Sequence, residues 1–226
     1  MFHPIDHPME RGWVGRIDGD RVIQLAAQTL QSLFTGGGQA REHAEYPLED
    51  VRLLAPVLHP PAVRVFEDQA TFAFANPAAI VGPGTHVRTP HEERGLRLLA
   101  RVAGVIGADG AVAGFAIVAD WREPSRLPPK DRDFAMGLGP VVVTPDELEL
   151  SGLEANVRID GGEHARGTLA DFEWSAARDL AADGTRLYPG DLLVSPTLAA
   201  VDTVPSGSSV ELEVPGIGVL EQVVSR

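Results

Sequence analysis

The chain has 226 residues, a formal net charge of −13 and no cysteine. The acidic balance argues against a protein that binds nucleic acid or an anionic membrane surface, and the lack of cysteine excludes disulfides, thiol catalysis and cysteine-ligated metals. No apolar run approaches the roughly 18 residues of a transmembrane helix, and no stretch has the pattern of a secretory signal. We therefore predict a cytoplasmic protein.

Residues 1–58 are predicted to form a small N-terminal α/β subdomain. Asp18-Gly19-Asp20 is a hairpin-type turn between two apolar runs, and leucines near helical spacing predict a helix that ends at Gly36-Gly37-Gly38. A polar loop and a short strand are predicted to follow. In chain order these elements are strands Trp13–Ile17 and Arg21–Leu25, helix Ala26–Phe34, loop 39–47 and strand Val51–Ala55.

Residues 59–226 are predicted to form the main domain, which is rich in strands. Its centre is a long hairpin, in which the apolar runs Leu96–Ile106 and Ala111–Val118 meet at the turn Asp109-Gly110. The charged, proline-rich segment 121–140 is predicted to be a loop. The remaining predicted elements are strands Val141–Thr144, Asn156–Ile159, Leu192–Val194, Val210–Val214 and Val219–Val224, and a helix Trp174–Ala182 with Thr168 as its candidate N-cap.

The first strand of this hairpin carries charge on one face. Arg97, Leu99 and Arg101 alternate with Leu98 and Ala100, so they share one side of the strand. A fully buried strand rarely carries two arginines. This face is therefore predicted to meet water, a partner or a functional site.

Six segments of the main domain occur in an order that is typical of a known family. They are FAFANPAAIVGPG (72–84), VAGFAIVAD (112–120), LGPVVVTPDEL (138–148), RGTLADFEWS (166–175), YPGDLLVSPT (188–197) and VELEVPGIGVLEQVV (210–224). Together they resemble the fumarylacetoacetate hydrolase family, and GWVGRIDGDRVIQLA and YPLEDVRLLAPV resemble the N-terminal extension found in one branch of it. The resemblance implies an α+β, β-rich fold: a mixed β-roll with a small N-terminal subdomain, assembled as a homodimer.

The resemblance also implies a chemistry, the Mg²⁺- or Mn²⁺-assisted cleavage of a C–C bond in a dioxo or oxo acid, with isomerases and decarboxylases among the relatives. In the family, two glutamates on the central strand and an earlier acid help to hold the metal. Here the two glutamate positions fall on Leu99 and Arg101, or on Leu96 and Leu98 in a shifted register, and the earlier acid falls on Val65. A hard cation needs several oxygen ligands, so most of the implied metal site is missing.

Three family positions keep their residue type. Asp120 matches the metal-binding aspartate and is identified as a remnant ligand position. Lys130, the only lysine among 19 basic residues, matches a catalytic lysine, and Thr197 matches a substrate-holding threonine. The family's lid, with its water-activating histidine, has no counterpart, since only five residues separate Phe66 from Phe72.

The interpretation that follows is a divergent family member with a degenerate metal site, which at most binds a small oxo acid or dicarboxylate. Arg101 and Arg97 are the candidate substrate-binding residues, and no metal is expected unless the site is active after all, in which case it is Mg²⁺ or Mn²⁺. In this scheme Arg101 forms an ion pair with Asp120, in an anion pocket or in a filled, inert one. Glu67, Asp68, Glu92 and Glu93 are candidates to replace lost ligands.

Two alternatives stay open at this stage. One is an active hydrolase, isomerase or decarboxylase of acylpyruvate-type acids. The other is a non-catalytic subunit of a heterodimer with an active paralogue.

Overall fold

The computed structural model describes residues 1–36, 39–89 and 95–225. The candidate ligands Glu92 and Glu93, and the glycines 37 and 38, therefore lie outside the described residues. The helices of the described residues fall short of the length and apolarity that a membrane span requires.

Strands dominate the structure, which confirms the β-rich α+β class predicted from the sequence. Residues 1–58 contain β1 (Phe2–Pro4), β2 (Gly15–Asp18), β3 (Arg21–Ala26), α1 (Leu30–Phe34), β4 (Gln39–Pro47) and β5 (Val51–Leu53). The rest of the chain contains β6 (Val63–Phe66), β7 (Phe72–Ala75), β8 (Ile80–Val81), β9 (His86–Arg88), β10 (Leu96–Ile106), β11 (Val112–Arg122), β12 (Met136–Val143), β13 (Glu154–Ile159), β14 (Gly162–Thr168), α2 (Trp174–Ala182), β15 (Leu192–Val194), β16 (Ala199–Val204), β17 (Ser209–Val214) and β18 (Gly218–Ser225). Short 3-10 turns occupy Leu48–Asp50 and Pro77–Ala79.

The N-terminal strands form a three-stranded sheet, β2-β3-β4, and a separate two-stranded pair, β1-β5. The predicted loop 39–47 is wrong, because these residues form β4 and pair with β3. The polarity of the segment suits a sheet that faces solvent, where Arg21 reaches across to Glu45 with an N–O distance of 2.7 Å. Helix α1 begins later than predicted, because Ala26 still pairs within the sheet and Thr29 provides the side-chain cap.

Most of the remaining strands belong to an eight-stranded sheet and a five-stranded sheet. The first has the order β7-β6-β15-β10-β11-β12-β8, with β16 also paired to β10, and the second has the order β14-β13-β17-β18-β9. Both sheets are mixed, since β15 pairs with β6 and β18 pairs with β9 in parallel. The main hydrophobic core draws buried residues from β10, β11, β13, β17 and α2.

Helix α2 packs on one end of the central hairpin, where Trp174 is its largest buried side chain. The Trp174 ring packs edge-to-face on Phe115, with the ring centroids 4.9 Å apart. A Cβ placed on Gly104 would stand 3.1 Å from the Trp174 ring, so the glycine gives the indole its close approach. Thr168 does not cap this helix as predicted; it ends β14, and the helix begins after Glu173.

The central hairpin has the predicted first strand, but its second strand is longer than predicted. β11 continues past Asp120 to Arg122, and β12 takes up residues that were assigned to the loop 121–140. Strands β14 and β16 were not predicted, because their polar or small residues lack an apolar repeat. The extension of β11 matters most, because it places Arg122 on the same face of the strand as Asp120.

Candidate functional site

The face of β10 that carries Arg97, Leu99 and Arg101 lies beside the same face of the neighbouring strand β11. Leu99 lies directly opposite Asp120 in the antiparallel register, and Arg101 lies opposite Val118, which makes it a diagonal neighbour of Asp120. Arg101 Nε lies 3.1 Å from Asp120 Oδ2, and both side chains are fully buried. The predicted ion pair between Arg101 and Asp120 is therefore present in the structure.

A second arginine, Arg122, which was not predicted from the sequence, also binds the Asp120 carboxylate. Arg122 Nε donates to Asp120 Oδ1 over 2.9 Å and Arg122 Nη2 donates to Oδ2 over 2.8 Å, which is the bidentate geometry typical of arginine and carboxylate. Its Nη1 donates to Asp131 Oδ2 over 3.0 Å. Burial opposes the charge of Arg122, but the bonds to Asp120 and Asp131 outweigh it and raise its pKa.

The guanidinium of Arg101 is held by more than its pairing with Asp120. Its Nη1 donates to the backbone carbonyls of Phe66 and Ser195, each over 2.9 Å. Its Nη2 donates to Glu67 Oε2 over 3.0 Å. These acceptors fix the position and orientation of the Arg101 guanidinium.

Arg132 completes the group from the loop between β11 and β12. Its Nη2 lies 3.6 Å from Glu67 Oε1, and its side chain is 9% exposed. Burial and the nearby Arg122 lower the pKa of Arg132. Three arginines (Arg101, Arg122 and Arg132) thus lie among three carboxylates (Asp120, Asp131 and Glu67), and these six residues are called the arginine cluster below.

Glu67 is the exposed member of the arginine cluster. Its side chain is 52% exposed, while that of Asp131 is 12% exposed and that of Asp120 fully buried. Partial burial works against ionisation of Glu67, but the guanidinium of Arg101, followed by those of Arg122 and Arg132, outweighs it and lowers its pKa. The carboxylate is therefore anionic at neutral pH and lies between the three largely buried cations and solvent.

The other predicted site residues lie at varying distances from this centre. The chain on either side of Thr197 passes beside Arg101, since Ser195 N–H donates to the Val102 carbonyl and Leu198 N–H to the Ala100 carbonyl. Lys130 is instead exposed and bonds to Asp133 on its own loop. Arg97 points to Asp202, with Nε 3.1 Å from Oδ1, and both side chains are largely exposed.

The sequence contains weak signals for the four members of the arginine cluster that were not predicted in this role: Arg122, Asp131, Arg132 and Glu67. Arg122 follows Asp120 at i+2, which puts both on one face of any strand that continues that far. Asp131 and Arg132 are neighbours of Lys130 on the same charged loop, for which only Lys130 was predicted to take part in the site. Glu67 was considered only as a replacement metal ligand, whereas its carboxylate contacts arginines.

The described residues around Asp120 do not fit a divalent metal ion. Within the described ranges, no three histidine or carboxylate side chains are grouped so as to hold one. The positions that the resemblance assigns to ligands hold the buried apolar side chains of Val65 and Leu99 and the cation of Arg101. Asp120 itself contacts two guanidiniums, which occupy the directions from which a cation would be held.

Two surface cavities lie apart from this centre. They have volumes of about 320 and 240 Å³ and lie beside Arg178 and beside His59. Neither is lined by a member of the arginine cluster. The arginine cluster itself reaches the surface through the half-exposed carboxylate of Glu67.

Comparison with known proteins agrees with the fold and with the resemblance seen in the sequence. Residues 54–225 match the family model "Fumarylacetoacetate (FAA) hydrolase C-terminal", and residues 10–56 match "Rv2993c-like, N-terminal". Protein Rv2993c of Mycobacterium tuberculosis is 29% identical over 218 residues, which cover 80% of this chain and 81% of that protein. Maleylpyruvate hydrolase of Aquipseudomonas alcaligenes is 26% identical over 220 residues, which cover 76% of this chain and 75% of the enzyme.

A solved structure extends the agreement to the three-dimensional fold. Maleylpyruvate hydrolase from Sphingobium sp. SYK-6 superposes with a TM-score of 0.80 at 19% identity, covering 96% of this chain and 97% of that one. The same enzyme has been solved in complex with manganese(II) and pyruvate. At this identity the likeness concerns the fold alone, but the family model covers most of the sequence. The chain accordingly belongs to the fumarylacetoacetate hydrolase family and carries the N-terminal extension of one of its branches.

Proposed function

We propose that this family member binds a small oxo acid or dicarboxylate through arginines, without a divalent metal, and does not cleave it. The observation that carries the proposal is the buried ion pair of Arg101 with Asp120, 3.1 Å apart. A fixed guanidinium occupies the neighbourhood of the one carboxylate that the family pattern retains. A divalent cation placed there would meet two guanidiniums instead of several oxygen ligands.

Replacing a metal by guanidiniums changes the chemistry that a site can support. A divalent cation polarises a carbonyl and stabilises the enolate that leaves when a C–C bond breaks. Arginine binds a carboxylate strongly and with defined geometry, but its pKa is too high for it to act as a proton-transfer catalyst near neutral pH. Binding is therefore retained in this proposal, while bond cleavage is lost.

The second candidate function is hydrolysis of an acylpyruvate, and the relatives favour it. A maleylpyruvate hydrolase is 26% identical to this chain over 220 residues, and the related Sphingobium enzyme was solved with manganese and pyruvate. Under this alternative the metal ligands would come from residues other than those of the arginine cluster. Turnover of maleylpyruvate that requires Mn²⁺ would be its signature.

One calorimetric experiment separates the two functions. The protein is titrated with oxaloacetate in EDTA and again in excess Mn²⁺, and maleylpyruvate consumption is followed under both conditions. We expect saturable, salt-sensitive binding that Mn²⁺ does not change, with no consumption of maleylpyruvate. Metal-dependent turnover, or an absence of binding at millimolar oxaloacetate, would contradict the proposal.

Assembly is a further part of the proposal. The family implies a homodimer, for which light scattering would give a mass near twice 24.1 kDa. A monomer that gains a partner only when a paralogue is co-expressed would favour the non-catalytic-subunit alternative. A cytoplasmic location, with which the lack of cysteine agrees, also stays a prediction.

A further inference from the structure

The exposed carboxylate of Glu67 is surrounded as a bound ligand would be. Its Oε2 lies 3.0 Å from Arg101 Nη2, and its Oε1 lies 3.5 Å from Arg122 Nη2 and 3.6 Å from Arg132 Nη2. Three guanidiniums on three different segments thus converge on one carboxylate, which belongs to a side chain on a fourth.

The loop that carries Glu67 does not depend on this side chain for its shape. Asp68 Oδ1 accepts hydrogen bonds from the N–H groups of Ala70 and Thr71, over 2.8 and 2.7 Å. Gln69 exchanges hydrogen bonds with the backbone of Glu173, over 3.2 and 2.7 Å. The Glu67 side chain can therefore rotate toward solvent while the loop keeps its backbone bonds.

Charge balance requires an anion at this position. Asp120 and Asp131 compensate two of the three guanidiniums, and Glu67 compensates the third. Without it, three guanidiniums of the described residues would share the two carboxylates of Asp120 and Asp131, which leaves an excess of one positive charge among largely buried side chains and is costly. An external carboxylate would restore the balance.

Arg132 has capacity for a further acceptor. The Arg132 side chain is only 9% exposed. Its Nη1 is buried and makes no hydrogen bond within the described part of the chain. Buried guanidinium hydrogens are normally satisfied by an acceptor. A 2-oxo acid or a dicarboxylate has an acceptor oxygen outside the carboxylate that is bound. Such a ligand would offer Nη1 an acceptor that the Glu67 side chain lacks.

We infer that Glu67 occupies the carboxylate-binding subsite of the protein, and that Arg101, Arg122 and Arg132 bind one carboxylate group of a small acid in exchange for it. The inference rests on the proposed function and adds to it the place where the ligand binds and the side chain that competes with the ligand. Glu67 is thus an intramolecular competitor, whose removal should strengthen binding. A residue that assisted binding would have the opposite effect.

The test compares succinate binding by the full-length wild type and Glu67→Gln in calorimetry at low ionic strength. Glu67→Gln keeps the size of the side chain and removes its charge, so we expect succinate to bind about tenfold more tightly, because it no longer displaces an ion pair. Glu163→Gln is the matched control. It removes one charge from an exposed pair with Arg166, and its affinity should equal that of the wild type.

A double variant separates the subsite from a general charge effect. Adding Arg132→Leu to Glu67→Gln should abolish the gain, and circular dichroism checks that each variant is folded. Equal succinate affinities for wild type and Glu67→Gln would overturn the inference and leave the proposed function standing. Binding by Glu67→Gln alone would support the inference and contradict binding by the wild type, while no binding by either protein at millimolar succinate would overturn both.

Discussion

Two groups of buried ion pairs lie at the same eight-stranded sheet, and they differ in the exposure of their charged groups to solvent. Arg64 on β6 pairs with Asp191 just before β15, with Nη1 3.0 Å from Oδ2 and side-chain exposures of 6% and 1%. Asp191 also accepts the N–H of Tyr188, and the Arg64 guanidinium lies 5.5 Å from the centre of the Phe74 ring. This pair is closed, with one cation, one anion and little access to water.

The arginine cluster is open by comparison. It has three cations and three anions, and the carboxylate at its surface, that of Glu67, is half exposed. A closed pair can only hold its strands together, whereas an open one can exchange its exposed anion for another. The predictions below test that contrast.

The largest expected effect is on the stability of Arg101→Leu. The change leaves Asp120 buried with one partner fewer and removes the donors to the Phe66 and Ser195 carbonyls. Asp120 keeps its pairing with Arg122, but the loss of the buried guanidinium together with its hydrogen bonds should cost about 3–5 kcal/mol, and urea denaturation measures it. Arg97→Leu is the control, since its pair with Asp202 is exposed and should contribute at most about 1 kcal/mol. Equal losses would show that Arg101 is not held as described.

Removing the ion pair of Arg64 with Asp191 should lower stability without changing succinate affinity. Arg64→Met leaves Asp191 buried and uncompensated, so we expect a loss of about 3 kcal/mol in urea denaturation. Adding Asp191→Leu removes the stranded charge and should recover much of that loss. Succinate affinity of the folded protein should stay at the wild-type value in both variants, and a large drop would mean that the two ion sites are coupled.

Restoring carboxylates should recover part of a metal site. In Leu99→Glu with Arg101→Glu, two carboxylates would join Asp120 on the facing strands, and three oxygen-donor groups can begin to hold Mn²⁺. We expect weak, saturable Mn²⁺ binding in calorimetry, limited by Val65 and by the arginines that remain. The single variant Leu99→Glu keeps Arg101 beside Asp120 and should bind no Mn²⁺. Saturable binding by the wild type would contradict the account of the site.

A smaller effect should appear in the pH dependence of stability. The pKa of Glu67 is lowered in the folded protein, so its ionisation stabilises the fold above its ordinary pKa of about 4.3. That contribution is lost as pH falls through the lowered pKa. The melting-temperature difference between wild type and Glu67→Gln should therefore shrink on acidification, and a difference that stays constant down to about pH 3 would argue against the ion pairs of Glu67.

The smallest effect is expected for Lys130→Ala. Its side chain is 66% exposed and its ammonium is paired with Asp133 on the same loop, and exposed pairs contribute about 0–1 kcal/mol. The family pattern assigns this lysine a catalytic role, whereas its position predicts a change in succinate affinity smaller than that caused by Arg132→Leu. A larger change would show that Lys130 reaches the ligand.

Much of the framework could be read from the sequence. Alternation along Leu96–Ile106 placed Arg97, Leu99 and Arg101 on one face, because strand periodicity is a local property. The bounds of β10, α2 and β15 were also predicted correctly. The ion pair of Arg101 with Asp120 was predicted from the family resemblance, which assigns both residues to metal-ligand positions.

The arginine cluster itself was decided by tertiary structure. Glu67 and Arg101 are 34 positions apart, and Arg101 and Ser195 are 94 positions apart. Only the pairing of distant strands brings them together, and no local pattern encodes that pairing. The direction of Lys130 likewise depends on how its loop folds against Asp133. Sequence periodicity thus determined which side chains share a face, while the tertiary structure decided that Glu67 and Arg132 lie beside Arg101 and Arg122.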